Sequence, residues 1–170
     1  MKKIKPLLFF LVLISFDQIS KYWARTTLQE DGPLSIIPNV LKLQYHENDG
    51  AVWGIMSGKV PFLIVLTLVI LSLLVYVFLK IPAEKKFNVL RIVFVFIMAG
   101  AIGNLIDRAL IGYVTDFIYF ELIDFPIFNI ADCYLTVTCV LLFLLAVFYY
   151  KDEDFAFLDQ MFRRIKKKSE

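Results

Sequence analysis

One histidine and two cysteines among 170 residues leave few side chains for metal or thiol chemistry. The single histidine, His46 in a loop, excludes an HExxH zinc site, and no Ser-His-Asp triad is visible. Cys133 and Cys139, six apart in an apolar stretch, form neither a disulfide framework nor a zinc-finger spacing. Cys133 adjoins Asp132 and is a conceivable nucleophile, although a cysteine in an apolar helix usually serves packing. No P-loop and no GxSxG elbow occurs, and neither an internal repeat nor a low-complexity segment is present. Charged residues make up only 20% of the chain, and a mean hydropathy of +0.72 with uninterrupted apolar runs excludes a soluble globule, a disordered chain and a nucleic-acid module.

Apolar residues are what the chain has. They make up 59%, with a mean hydropathy of +0.72, against ~45–50% in soluble domains. Four stretches read as membrane spans, at about 6–24, 60–79, 92–110 and 130–150, inside a single integral membrane domain covering 1–170. The stretch from Val60 to Leu79 carries no charge over 20 residues, about the length that crosses a ~30 Å hydrocarbon core. The basic start, Lys2, Lys3 and Lys5, followed by Leu7 to Phe16, has the form of a signal peptide. Asp17, Lys21, Tyr22 and Trp23 stand where a small-residue cleavage site is needed, so the first span is expected to remain as a helix. Tyr149, Tyr150 and Lys151 close the fourth span as an interfacial belt with a basic anchor.

Basic residues orient the chain. The N-terminus, the link between spans two and three, and the C-terminal tail together hold 13 of the 18 Lys and Arg. Both termini are therefore expected in the cytoplasm, with loops 25–59 and 111–129 outside. The tail cluster from Arg163 to Lys168 reads as a solvated or lipid-headgroup anchor. Leu34 to Ile37, Val40 to Tyr45 and Tyr113 to Phe120 are rich in β-branched and aromatic residues, and predict a small extracytoplasmic sheet.

Polar residues inside the spans are confined to one depth. At ~1.5 Å per residue, Asp17 and Lys21 lie roughly 16 and 22 Å from the cytoplasmic end of span one. Asn104, Asp107 and Arg108 lie roughly 18–24 Å out along span three, and Asp132 roughly 27 Å out along span four. Each charge within a span costs at least ~2.5–3.5 kcal/mol on insertion scales, so such residues are kept in pairs or cavities and usually for function. Asp17 and Lys21 share a helix face, as do Asn104 and Arg108. Ion pairs stitching the bundle and direct substrate contact both account for Asp17, Lys21, Asp107 and Arg108. Gly100 and Gly103 thin span three beside them and permit close helix approach.

Asp116 and Asp132 bound one short outer segment that starts and ends at the membrane, so their carboxyls can meet across the bundle mouth. Two carboxyls in a poorly solvated site share a proton, one acting as base toward water and the other as acid toward a carbonyl. The plainer alternatives are a solvated loop carboxylate for Asp116 and, for Asp132, a helix cap with Asn129 as the N-cap residue. A small ion- or drug-coupled transporter would also set carboxylates between helices, but near the midplane and among broken helices. A purely structural membrane protein leaves the paired aspartates unexplained.

Five blocks in this order resemble the lipoprotein signal peptidase (signal peptidase II) family of bacterial intramembrane aspartic proteases. They run Asp17-Gln18-Ile19-Ser20-Lys21, then Asn48-Asp49-Gly50-Ala51-Val52-Trp53-Gly54, then Gly100 to Arg108, Val114 to Ile118, and Phe128 to Asp132. Ala99, Thr115 and Cys133 depart from the family pattern at positions it does not use for chemistry. The resemblance implies four transmembrane helices with a small extracytoplasmic β-cradle. It also implies Asp116 and Asp132 as the catalytic pair. Its other motif residues fall on Asp17, Lys21, Asn48, Gly50, Asn104, Asp107, Arg108, Asn129 and Ala131, for substrate binding or support of the site. The implied activity is removal of the signal peptide from a prolipoprotein, cut just before a diacylglyceryl-modified cysteine. No metal or organic cofactor is implied. Globomycin-type cyclic peptides are the implied inhibitors. A monomer among the lipids of the bacterial cytoplasmic membrane is the expected setting, with the site at the outer leaflet. The loop from Asn48 to Gly54 is expected to cover that site, since glycine lets backbone approach a ligand closely.

Overall fold

The computed structural model describes residues 4–50 and 56–158. Four long helices follow the four apolar stretches: α1 (Ile4–Trp23), α2 (Val60–Lys80), α3 (Asn88–Ile111) and α4 (Ile130–Phe148). Each is long and apolar enough to cross a bilayer. Three strands, β1 (Leu34–Ile37), β2 (Leu41–Asn48) and β3 (Val114–Phe120), form one antiparallel sheet with β2 in the middle.

α3 is the helix around which the others assemble. Half of its span is buried, against 6% of α2, and it packs against α1, α2 and α4. The reason lies in its sequence, where Ala99, Gly100 and Gly103 let a neighbouring backbone come close. A methyl group on Gly100 would stand 2.7 Å from the Ala131 carbonyl oxygen of α4, and one on Gly103 would overlap the Asp17 carboxylate of α1. The outward faces of α1, α2 and α4 are leucine, valine, isoleucine and phenylalanine left exposed, as suits helices solvated by lipid.

Span one does not end where its hydropathy falls. A wide π-helical turn, Ala24–Leu28, and a last turn, Gln29–Asp31, carry the helix seven residues into the expected outer loop. Gly32, at φ +85°, stops it. The helix continues because Ala24 and Leu28 are buried against Phe117 of β3, a tertiary contact that overrides the rise in polarity. β2 likewise runs three residues past Tyr45, to Asn48, because it pairs with β3 as far as Val114.

At the opposite end, Tyr150 is not only an interfacial residue. It is 7% exposed, stacks on Phe87 at 5.5 Å and donates its hydroxyl to the Lys86 carbonyl at 3.2 Å. Lys86 pairs with Asp154, and Phe155 and Phe157 fold under the same cluster. The basic tail from Arg163 and the loop residues 51–54 lie outside the described residues.

Because the Gly100 approach leaves no room for a methyl group, Gly100→Ala is expected to push α3 and α4 apart. A loss of about 1–3 kcal/mol is expected, as for other overpacked sites, read as a lower thermal midpoint in detergent.

Candidate active site

β3 and the start of α4 are tied together just where the two aspartates need to meet. Phe128 pairs with Ile118: its N–H donates to the Ile118 carbonyl at 3.0 Å and its carbonyl accepts from Ile118 N–H at 2.8 Å. Two residues before Ile118 is Asp116, and the residue after Phe128 is Asn129, the cap of α4. Asn129 has extended backbone, accepts at Oδ1 from Asp132 N–H at 3.1 Å, and donates its own N–H to Asp132 Oδ2 at 3.1 Å. The capping box expected from sequence is therefore present, and the same geometry aims Asp132 at the site. Cap and site residue are one arrangement.

Asp116 and Asp132 line a common cavity of about 1100 Å³ with Asn48, Asn104, Arg108 and Cys133. Each carboxyl oxygen accepts a hydrogen bond from a fixed donor. Asp116 Oδ1 accepts from Asn129 Nδ2 at 2.6 Å and Oδ2 from Asn48 Nδ2 at 2.9 Å. Asp132 Oδ1 accepts from Asn104 Nδ2 at 2.8 Å, and its Oδ2 is held by the cap.

The orientation of two of these amides, Asn104 and Asn129, has a single origin in α1. Lys21 is fully buried, and an ammonium can only donate. Its three protons meet Asp17 Oδ2 at 3.0 Å, Asp107 Oδ2 at 3.4 Å and Asn104 Oδ1 at 2.8 Å. Asn104 must then present its oxygen to Lys21 and its amino group to Asp132. The same oxygen accepts from Asn129 Nδ2 at 3.2 Å, so Asn129 too is turned with its amino group toward Asp116. Lys21 bonds to neither Asp116 nor Asp132 but sets the polarity of Asn104 and Asn129, two of the three amides that serve them.

The remaining motif residues hold this layer together. Asp17, fully buried, accepts at Oδ1 from the Ala131 N–H at 2.9 Å, one of the unpaired donors in the first turn of α4. Asp107 accepts from Thr115 N–H at 3.0 Å, fixing the residue before Asp116. Asn48 Oδ1 accepts from Gly50 N–H at 3.0 Å, and the Gly50 carbonyl accepts from Arg108 Nη2 at 2.8 Å. Arg108 Nε is buried without a partner among the described residues. Of the two readings open for Asp17, Lys21 and Asp107, the contacts are those of ion pairs: Asp17 and Lys21 pair along α1, one turn apart, and Lys21 pairs with Asp107 across to α3. Arg108 lines the cavity instead.

Three residues outside the sequence-derived set also belong to this neighbourhood. Gln18 donates to Asp17 Oδ2 at 3.1 Å and the Gly103 carbonyl at 3.1 Å. Arg25 donates to Thr115 Oγ1 at 2.8 Å and lies 3.7 Å from Asp107. His46 faces Asp116 across the sheet and lines the cavity. The spacing Asp17, Lys21, Arg25 was a signal for the second of these, since residues four apart share a helix face.

The layer holds four carboxyls (Asp17, Asp107, Asp116, Asp132) and three cations (Lys21, Arg25, Arg108). One proton on one carboxyl makes it neutral. Asp116 is the group placed to carry it: burial, then the nearby Asp132 carboxylate, pushes it up from 3.8 to about 7. The bonds from Asn48 and Asn129 oppose that rise without cancelling it. Besides Asp132 of α4, Asp116 is faced by Lys21 of α1, Arg108 of α3 and His46 of β2.

Known proteins match this chain over most of its length. A family model described as signal peptidase (SPase) II matches residues 9–148. The lipoprotein signal peptidases of Staphylococcus aureus strains MRSA252 and Newman are each 42% identical over 133 residues, spanning 76% of this chain and 80% of theirs. Two solved structures, both described as bacterial membrane enzymes obtained by the in meso method, superpose with a TM-score of 0.73. One is 39% identical and covers 84% of this chain and 87% of its own. The other is 37% identical and covers 86% and 94%. A transporter finds no support in any of these matches, and the chain belongs to the signal peptidase II family.

Proposed function

We propose that the chain is an aspartic endopeptidase that removes signal peptides from prolipoproteins, cutting just before a cysteine that carries a diacylglyceryl group. The observation that carries the reading is a pair of carboxyls in one cavity, each oxygen of each held by a fixed donor. Such a pair holds one water and one proton between them. Water oxygen bonds to the scissile carbonyl carbon while Asp132 takes the water proton and Asp116 gives its proton to the carbonyl oxygen. The resulting diol collapses, the C–N bond breaks, and the proton on Asp132 passes to the leaving amine. A diol hydroxyl returns a proton to Asp116. Atoms and charge balance, and the pair is restored.

The substrate follows from where the polar layer stands. A lipidated cysteine is held at the headgroup boundary by its acyl chains. The polar residues of α1, α3 and α4 gather at the end of the bundle that carries the sheet, and basic residues mark the opposite end as cytoplasmic. The site then opens at the outer leaflet of a bacterial cytoplasmic membrane, with both termini inside. Arg108 and the Asn48–Gly50 turn bind the substrate backbone. The protein works as a monomer surrounded by lipid, and globomycin-type peptides occupy the same cavity.

A gel shift of a lipidated prolipoprotein, with an unlipidated Cys→Ser version as control, tests the activity. Asp116→Asn, Asp132→Asn and the double variant are expected to lose ~10²–10⁴-fold in turnover, with the double no worse than the singles, because the two act as one unit. Binding of the lipidated substrate should persist in all three. Turnover within about tenfold of wild type in either single variant contradicts the dyad and makes Cys133 the next nucleophile to test.

The activity should be bell-shaped in pH, with apparent values that belong to the pair. The alkaline limb marks loss of the shared proton, near the value of about 7 for Asp116. The same group makes stability fall with pH. Its folded value lies above the ordinary 3.8, so folding takes up a proton between about 3.8 and about 7, and that stabilisation is lost as pH rises through about 7. Thermal midpoints should show this fall in wild type and lose it in Asp116→Asn.

Asp17→Asn tests architecture separately from chemistry. It weakens the pairing of the buried Lys21, a loss of several kcal/mol for a truly buried pair. Lower yield and thermal midpoint with residual turnover are expected. Full stability with no cleavage would instead put Asp17 in contact with substrate.

A further inference from the structure

We infer that Arg25, in the π-helical turn after α1, is a positioning residue that holds Asp116 in register by gripping the back of β3. The inference rests on the aspartic-peptidase reading of the site. Along β3 successive side chains point to opposite faces, so Thr115 turns away from the cavity while Asp116 turns into it. Thr115 is fully buried, and its N–H and hydroxyl are held from two helices. Its N–H donates to Asp107 of α3 at 3.0 Å, and its hydroxyl oxygen accepts from Arg25 Nη1 at 2.8 Å.

Arg25 also divides the load on Asp107. Asp107 Oδ2 lies 3.4 Å from Lys21 Nζ, and Oδ1 lies 3.7 Å from Arg25 Nη1. Lys21 is meanwhile needed by Asp17 and by Asn104, the amide that serves Asp132. Without Arg25, Asp107 keeps a single cation and draws Lys21 toward itself, loosening the Asn104 contact. One residue outside the cavity thus bears on both aspartates, on Asp116 through Thr115 and on Asp132 through Asp107, Lys21 and Asn104. Arg25 does not line the cavity, so substrate contact is not its role. The guanidinium suits this role because a planar fork serves two partners at fixed angles, which a lysine ammonium cannot do as well.

The test compares wild type, Arg25→Lys, Arg25→Gln, Thr115→Val and the Arg25→Gln/Thr115→Val double variant on a lipidated prolipoprotein in one detergent. Thermal midpoints are followed in parallel as a function of pH. Arg25→Gln should lower kcat about tenfold with KM within about twofold, since misplacing a reacting group by even 1 Å can cost ~10²-fold. Thr115→Val should behave alike, Arg25→Lys should recover part of the loss, and the double variant should be no worse than the poorer single. An unchanged kcat in folded Arg25→Gln, a change mainly in KM, or effects that multiply in the double variant would overturn the inference. If Arg25→Gln fails to accumulate, Thr115→Val removes the same hydrogen bond and decides alone. A wild-type protein that leaves the lipidated substrate uncut sinks the peptidase reading itself. In that event the pH inflection of the thermal midpoint still reports on Asp116, and it should move in Arg25→Gln and stay fixed if Arg25 has no hold on β3.

Discussion

A fully buried ammonium with three acceptors is the interaction on which the rest of this structure depends. Lys21 in a low-dielectric bundle is tolerable only while Asp17, Asp107 and Asn104 all remain in place. Those partners belong to α1 and α3, and Asp17 in turn holds the first turn of α4 through Ala131. The packing of three helices and the polarity of the site amides are therefore one constraint. Because the ammonium cannot accept, Asn104 and then Asn129 have no freedom to flip, and their amino groups face Asp132 and Asp116. Preorganised donors of this kind act in a dry site without reorganising during reaction.

The bundle supplies the dryness. α3 is covered on several sides, while α1, α2 and α4 offer plain hydrocarbon to lipid. Close approach at Gly100 and Gly103 brings α4 and α1 near enough for Asp17, already paired with Lys21 one turn along α1, to reach the α4 backbone as well. A side chain at Gly103 would occupy the place of the Asp17 carboxylate, so the glycine and the ion pair are one design feature seen from two helices. The sheet adds the second half of the site. β3 carries Asp116, and its bridge to Phe128 sets where the cap of α4 begins.

Much of this could be read from the chain. The four apolar stretches, the confinement of polar residues to one depth, and the short segment joining Asp116 to Asp132 all follow from hydropathy and counting. The Asn129 cap was equally plain, since Asn followed three residues later by Asp before an apolar run is a start signal. What escaped was tertiary. The helical continuation through Ala24–Leu28 depends on burial against Phe117, which no local pattern reports. With the first span ending early, Arg25 fell into a loop, although its spacing from Asp17 and Lys21 put it on their face. The thiol and the imidazole nearest the site, Cys133 and His46, line the cavity without joining the hydrogen-bond network among the described residues.

Neutrality of the buried layer is the central claim, and it requires one protonated carboxyl when the site is ready to act. Infrared difference spectroscopy of the protein in bilayers reads this directly through the carbonyl stretch of a carboxylic acid, which a carboxylate lacks. The account predicts such a band in wild type below about pH 7, its loss as pH rises, and its absence from Asp116→Asn. A band that survives in Asp116→Asn, or a wild-type protein with no protonated carboxyl in that range, would contradict it.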